Sequence, residues 1–364
     1  MSDSFRSFVA IFSSLKSLYQ CEPKGNFYRR LRCTAFFING IILSRSCQLP
    51  DVSGKCADSR KPLSREKSFY RLLKNEHFSY QVHYMPFAKA LIQAVQADTV
   101  TITFDGSLIG HGCIALVAGL VYKNRALPLC WIVKKGGKGH FKEKIHMELL
   151  DQLMQLIPKG KKVVILGDGE FDGADFLSKI KKNNWNFVAR TAKNRVMVEG
   201  NESFQMRDLD VGEQEYFWVP NISPENSPTL ICHAVIWWRR DFKEPIYLFT
   251  NLEPVREALF WYKKRFTIET FFSDQKSRGF NIHKSHISNP ERLEKLLIVA
   301  ALAYIFTVYF GIVAIKNNML QAIHRKKRCD WSIFKIGLRF LNYQLSQFAD
   351  IPKMIQLDFF SLIV

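Results

Sequence analysis

Two aspartates stand where apolar strands are expected to stop, and each is followed by glycine. Asp105 follows Thr99-Val100-Thr101-Ile102-Thr103-Phe104, and Asp168 follows Val163-Val164-Ile165-Leu166-Gly167. A strand end beside a permissive glycine places a carboxylate on the sheet rim with room for a ligand. An isolated Asp-Gly is more often a turn than a ligand, so the pair says more than either member. A third acid, Glu269, lies in Trp261-Tyr262-Lys263-Lys264-Arg265-Phe266-Thr267-Ile268-Glu269-Thr270-Phe271-Phe272-Ser273-Asp274-Gln275-Lys276. On one continuous helix, Tyr262, Arg265, Glu269 and Lys276 fall within a stripe about 60° wide and about 21 Å long. One acid among two cations and a phenol suits a metal-binding carboxylate flanked by phosphate-holding groups. Arginine would grip as a bidentate fork and lysine as a point charge. A solvated face of i,i+4 pairs has the same composition, but it leaves the adjoining Phe271-Phe272 unexplained.

The elements that must position these groups follow from the pattern along the chain. Residues 1–96 read as helical, with basic residues such as Arg29, Arg30 and Arg32 among apolar ones. Residues 50–62 look like a linker or turn, and residues 64–74 read as a basic amphipathic helix of the kind found in small DNA-binding domains, a pattern that any solvated amphipathic helix shares. From residue 97 to 190 the grammar changes to three strands, then helix, strand, helix and strand, which indicates a mixed-sheet α/β domain. Residues 191–253 revert to short strands and read as a β-rich insertion. Helices return over 254–318 and continue through 319–364.

The formal charge of +19 and pI near 9.6 point to a polyanionic partner, either nucleic acid or an anionic membrane surface. Eight cysteines without a C-x-x-C pair exclude a readable zinc or disulfide framework and fit reduced thiols in the cytoplasm. The N-terminus lacks the features of a signal peptide. Residues 296–315 are apolar enough for a membrane span, yet an all-round apolar helix equally suits the centre of a large core. The core reading is preferred, with the strands leading to Asp105 and Asp168 as its partners. His140, His146, His283 and His286 lack companion ligands at metal-site spacing and are read as surface or DNA-facing.

Tyr262-x2-Arg265-x3-Glu269-x6-Lys276 resembles, at every spacing, the YREK signature of bacterial insertion-sequence transposases of the DDE class, the insertion-sequence-four-like, cut-and-paste group. The order of the other motifs agrees: Asp105-Gly106, then Gly167-Asp168-Gly169-Glu170-Phe171-Asp172, then a β-rich insertion before the glutamate. The resemblance covers about residues 64 to 340. It implies an RNase H-like catalytic domain with a β-rich insertion, a helical N-terminal domain before it and C-terminal helices after it. It also implies that Asp105, Asp168 and Glu269 are a catalytic, metal-binding triad, with carboxylate carbons within roughly 8 Å to bridge two ions. Tyr262, Arg265 and Lys276 match positions that contact the backbone of the transposon end, and Arg190 resembles a further arginine near it. The family stacks an insertion-domain tryptophan on a flipped base, for which Trp237 and Trp238 are candidates, although adjacent strand residues face opposite sides.

The cofactor implied is Mg2+, two ions, with Mn2+ as the alternative. The partners implied are double-stranded DNA, both terminal inverted repeats and target, and a second copy of the chain in a synaptic dimer, with no membrane. The location implied is the cytoplasm, on the nucleoid. The basic run at residues 324–328 would then be a face available to DNA. The rival readings are a catalytically silent or domesticated DNA-binding relative and an RNase H-like nuclease or resolvase.

Overall fold

The computed structural model describes residues 3–19, 21–56, 58–137, 141–325 and 329–354. Six helices come first: α1 (Asp3–Lys16), α2 (Gly25–Ser44), α3 (Leu49–Gly54), α4 (Pro62–Lys74), α5 (Tyr80–His83) and α6 (Met85–Gln93). Strands β1 (Thr99–Gly110), β2 (Cys113–Tyr122) and β3 (Arg125–Lys135) form a meander. Helix α7 (Glu143–Met154), strand β4 (Lys162–Gly167), helix α8 (Ala174–Lys182) and strand β5 (Asn186–Thr191) then alternate. The β-rich segment contributes β6 (Val196–Glu199), β7 (Glu202–Gln205), β8 (Tyr216–Pro224), β9 (Cys232–Trp237) and β10 (Ile246–Thr250). Helices α9 (Val255–Tyr262), α10 (Thr267–Gln275), α11 (Pro290–Lys316), α12 (Leu320–Ile323) and α13 (Ile333–Ser346) follow.

The strands join in one ten-stranded sheet in the order β3-β2-β1-β4-β5-β10-β9-β8-β6-β7. Among the described strands only β1–β4 and β4–β5 pair in parallel. These central strands are buried on both faces, which accounts for their unbroken apolar runs. Their alternate residues feed two cores. Ile102, Phe104, Val163, Ile165 and Phe187 join the large core. Val164, Leu166 and Val188 join a smaller one under α9 with Val255, Ala258 and Tyr262. The β-rich segment extends the central sheet, because β10 returns to pair antiparallel with β5.

Two expectations need correction. Strand β1 does not stop at Asp105 but runs to Gly110, paired with β2 from Ile102 through Gly110. Gly106 supplies no turn: a Cβ there would make ordinary contacts with Ile114 and Leu116. The supposed linker at 50–62 contains α3, which opens with Pro50 in its first turn, where the missing amide hydrogen costs nothing. Helix α3 docks on α2 at Gly40, where any Cβ would lie 2.5 Å from Val52 Cγ1.

Helix α11 is long and apolar enough to cross a membrane, but 89% of its most apolar window is buried inside the protein. Its main neighbours are α2, α4, α5, α10, α13 and β3, rather than β1 and β4. One face of these two strands is already covered, by α9 over β4 and by α10 over β1, and on the other Phe104 of β1 packs on Phe171 and Phe176. Helix α13 crosses α11 in near backbone contact: a Cβ at Gly337 would fall 1.8 Å from the Thr307 carbonyl, and one at Gly311 2.1 Å from that of Ile333. The N-terminal helices thus share one core with the sheet and α11.

Candidate active site

Parallel pairing of β1 with β4 places Thr103 opposite Leu166. Asp105 and Asp168 each lie two residues beyond that rung, so the sheet itself brings them to neighbouring positions. Asp105 is buried at 4% exposure within a continuous strand, and its Oδ1 accepts the Gly106 amide at 2.7 Å. Asp168 follows β4, and its Oδ1 accepts the Glu170 amide at 3.0 Å in an Asx turn. The close approach at Gly167 requires glycine, since a Cβ there would meet Phe171 Cβ at 2.6 Å. Further along the same loop, Asp172 accepts the Thr191 hydroxyl at 2.7 Å, tying the loop to the end of β5 next to Arg190.

Side chains of a strand alternate, so Thr103, Asp105 and Ser107 share one face of β1. The Thr103 hydroxyl donates to the Arg265 carbonyl at 3.1 Å, and Lys276 Nζ donates to Ser107 Oγ at 2.7 Å. These contacts lay the segment from 265 to 276 along the row that contains Asp105, with Glu269 between the two tethers. Neither threonine nor serine stood out in the sequence. Counting by twos from Asp105 would have found both.

The segment is not one continuous helix, as the stripe assumed. Helix α9 ends at Tyr262, a turn spans 263–266, and α10 starts at Thr267 and ends before Lys276, whose backbone is non-helical. Tyr262 and Arg265 are accordingly buried, at 2% and 7% exposure, instead of standing on an open face. Burial raises the Tyr262 phenol above its ordinary pKa; Arg265 and Arg190 draw it down and Asp168 pushes it up. All four therefore belong to one electrostatic neighbourhood. Arg265 packs over Phe266 at 4.1 Å and reaches Glu269 Oε1 with Nη2 at 3.4 Å, while its buried Nε has no hydrogen-bond partner. The Glu269 side chain is 57% exposed. Among the described residues no group of three or more His, Cys, Asp and Glu side chains forms a metal-binding cluster. The donor chemistry nevertheless suits a hard divalent cation: acidic oxygens at two strand positions and on a facing helix, with cations close by.

The tryptophans of the insertion are differently placed. Trp237 is 7% exposed and lies beneath Lys263 and Arg239, each 5.4 Å from its ring. Trp238 falls beyond the end of β9, and its indole N–H donates to the Phe242 carbonyl at 3.2 Å. The exposed aromatics of the insertion are Phe217 (48%) and Trp218 (38%) on β8, which sequence reasoning passed over. His146 is not at the surface: it is 2% exposed, packed on Phe171, with Nε2 3.8 Å from Glu170 Oε1. His283 is half-buried and His286 exposed, while His140 and residues 326–328 lie outside the described residues. His324 and Arg325, from the basic run, both pair with Asp330.

Comparison with known proteins now bears on this geometry. No curated protein matches the chain. A solved structure, the cryo-EM piggyBac transposase synaptic complex with hairpin DNA, is similar at 10% identity and a TM-score of 0.44, covering 99% of this chain and 85% of that one. The family model described as a transposase DDE domain matches residues 110–306, a span that holds Asp168 and Glu269 and begins just after Asp105. That match takes in just over half of the 364 residues, and the chain belongs to the DDE transposase family.

Proposed function

We propose that this chain cuts DNA at the ends of a mobile element and joins those ends to a target, as a member of the YREK-bearing, insertion-sequence group. The reading rests on one observation above all: the Thr103–Asp105–Ser107 row of β1 is pinned against the 265–276 segment, while strand register places Asp168 beside Asp105. The order β3-β2-β1-β4-β5, three antiparallel strands followed by two parallel ones, supports an RNase H-like core.

Asp105, Asp168 and Glu269 would hold Mg2+, or Mn2+ in its place, through carboxylate oxygens. Two such ions, when bound, supply an activated nucleophile and stabilise the leaving oxygen. The chain's own residues perform the rest. Arg265, with Nε unsatisfied and its fork beside Glu269, is placed to take phosphate oxygens of the end DNA. Glu269, loosely held by Arg265 at 3.4 Å, would be free to turn its carboxylate toward an ion if Arg265 engaged a phosphate. Tyr262, its phenol raised by burial, stays protonated, and it would need to leave its present packing to donate to phosphate. Lys276 holds charge at the far end of the row, and Arg190 at the near end. Trp237 or Trp238 would need to leave its present packing to stack on a base. The partner is double-stranded DNA, engaged by two copies of the chain, in the cytoplasm on the nucleoid.

The decisive experiment is strand cleavage on the repeats flanking the gene, with Mg2+. A nick at the repeat boundary that exposes a 3′-hydroxyl, followed by joining to a second duplex, is expected. Repeat binding without any cut would leave a silent DNA-binding relative.

A further inference from the structure

Helix α10 presents a second face to a different cavity. Roughly 100° around the helix from Glu269, Thr270 begins the wall of a cavity of about 410 Å³. Three separate parts of the chain complete it: Arg45 just past α2, Arg125 at the start of β3, and the first turns of α13. Inside, Arg125 and Asp274 form a buried ion pair and cancel one another. Arg45, Arg278, Lys335 and Arg339 also line the cavity, all exposed, and none forms an ion pair with a described residue. Lys335 and Arg339, one turn apart on α13, are both held over the Trp331 ring, at 4.7 and 5.5 Å. The 14-residue α13 begins at this wall, where Ser332 caps the Lys335 amide at 3.2 Å. Four uncompensated cations from three segments repel each other across one concavity unless an anion joins them.

We propose that this cavity is a second phosphate site, which grips the backbone of the DNA strand that α10 presents to the carboxylates. The inference rests on the transposase reading. Asp274 lies five residues beyond Glu269, about 7.5 Å along the helix axis, which corresponds to about two nucleotides of one strand. Arginine forks of Arg278, Arg339 and Arg45 suit bidentate grip of phosphodiester oxygens, and the N-terminal dipole of α13 adds to the attraction. Because α2, α10 and α13 all contribute, a strand seated here would lock the N-terminal and C-terminal helices to the catalytic helix.

Arginine modification by phenylglyoxal, read by mass spectrometry on the full chain with and without duplex carrying the element end, tests the proposal. The duplex is expected to protect Arg45, Arg278 and Arg339 several-fold. The combined Arg278→Gln, Lys335→Gln and Arg339→Gln variant is expected to lower the slope of log affinity against log salt by about two to three. Lys159→Gln with Lys162→Gln, at the rim of the sheet away from Asp105 and Asp168 and outside the cavity lining, should lower it by less than about one. Full reactivity of the three arginines while anisotropy shows the duplex bound overturns the proposal and leaves the transposase reading standing. Protection by inorganic pyrophosphate but not by duplex also overturns it, by assigning the cavity to a small phosphate compound. A wild-type chain that binds no end duplex overturns both.

Discussion

Helix α10 carries two acids, five residues apart, each beside an arginine, and the two pairs differ in everything but composition. Glu269 is 57% exposed and meets Arg265 at 3.4 Å, a contact loose enough to be exchanged. Asp274 is 6% exposed and closes on Arg125, itself 9% exposed, across the core from β3. On α10 the tightness of the arginine contact, 3.4 Å and half-solvated against closed and buried, separates the acid that can change partners from the one that cannot. A buried pair fixes a helix to its sheet, whereas a half-solvated one leaves a carboxylate free to change partners. The short helix between its two tethers is thus anchored at Asp274 and leaves the Glu269 carboxylate accessible.

The largest effect expected from this contrast is catalytic. Glu269→Gln should lower end cleavage by about a thousandfold or more, about 4 kcal/mol at the transition state, because it removes one anionic ligand. Its thermal stability should stay within about 0.5 kcal/mol of wild type, as for other exposed substitutions. Cleavage at the wild-type rate would break the comparison at its first term.

The buried pair should respond in the opposite sense, in stability. Arg125→Met removes the cation that closes on Asp274 and should destabilise the chain by about 3 kcal/mol at neutral pH. Adding Asp274→Asn should restore a large part of that, because the stranded charge is gone. The pH dependence follows from the same burial. Desolvation lifts the Asp274 carboxyl from 3.8 to about 6 although Arg125 pulls it down. A carboxyl that holds its proton more tightly when folded stabilises the fold fully below its unfolded value, and that contribution is lost as pH rises through about 6. Urea midpoints should therefore fall between about pH 4 and 6, with Asp274→Asn flattening this part of the profile. A profile unchanged by Asp274→Asn would show that the pair is not the titrating group.

The same contrast explains how much was legible beforehand. Strands β1 to β5 and helices α8, α9 and α11 follow from apolar runs and turn residues, which local chemistry specifies. Asp105 and Asp168 were singled out by the apolar strand runs before them, and Glu269 by the spacing of its neighbours, although the single helix assumed for that spacing is broken at residues 263–266. The break between α9 and α10 was not, since residues 263–266 contain no glycine or proline to announce it. Their non-helical turn is set by tertiary contacts, among them the Thr103 bond to the Arg265 carbonyl. The extension of β1 past Asp105 is likewise dictated by its ladder with β2, a partner that Asp-Gly chemistry does not reveal. Asp274 was silent for a similar reason: its partner lies 149 residues away. The close crossing of α11 and α13 at Gly311 and Gly337 could be read only from coordinates.

The smallest predicted effect tests the geometry that makes Glu269 operative. If the Thr103–Asp105–Ser107 row truly faces the 265–276 segment, Ser107 and Lys276 are energetically coupled through their 2.7 Å hydrogen bond. The bond is only partly buried, so water competes for both groups and the net coupling should be about 1 kcal/mol. Ser107→Ala and Lys276→Met, alone and together, form the cycle that isolates this term from the separate effect of each side chain. The readouts should diverge. Stability should show the coupling in the free chain. End-DNA affinity should fall with Lys276→Met, through the loss of about one phosphate contact in the salt slope, and barely change with Ser107→Ala. Additive stabilities would mean that Lys276 does not rest on β1 in solution. The far tether of the row would then be gone, and the alignment of Glu269 with Asp105 would depend on Thr103 alone.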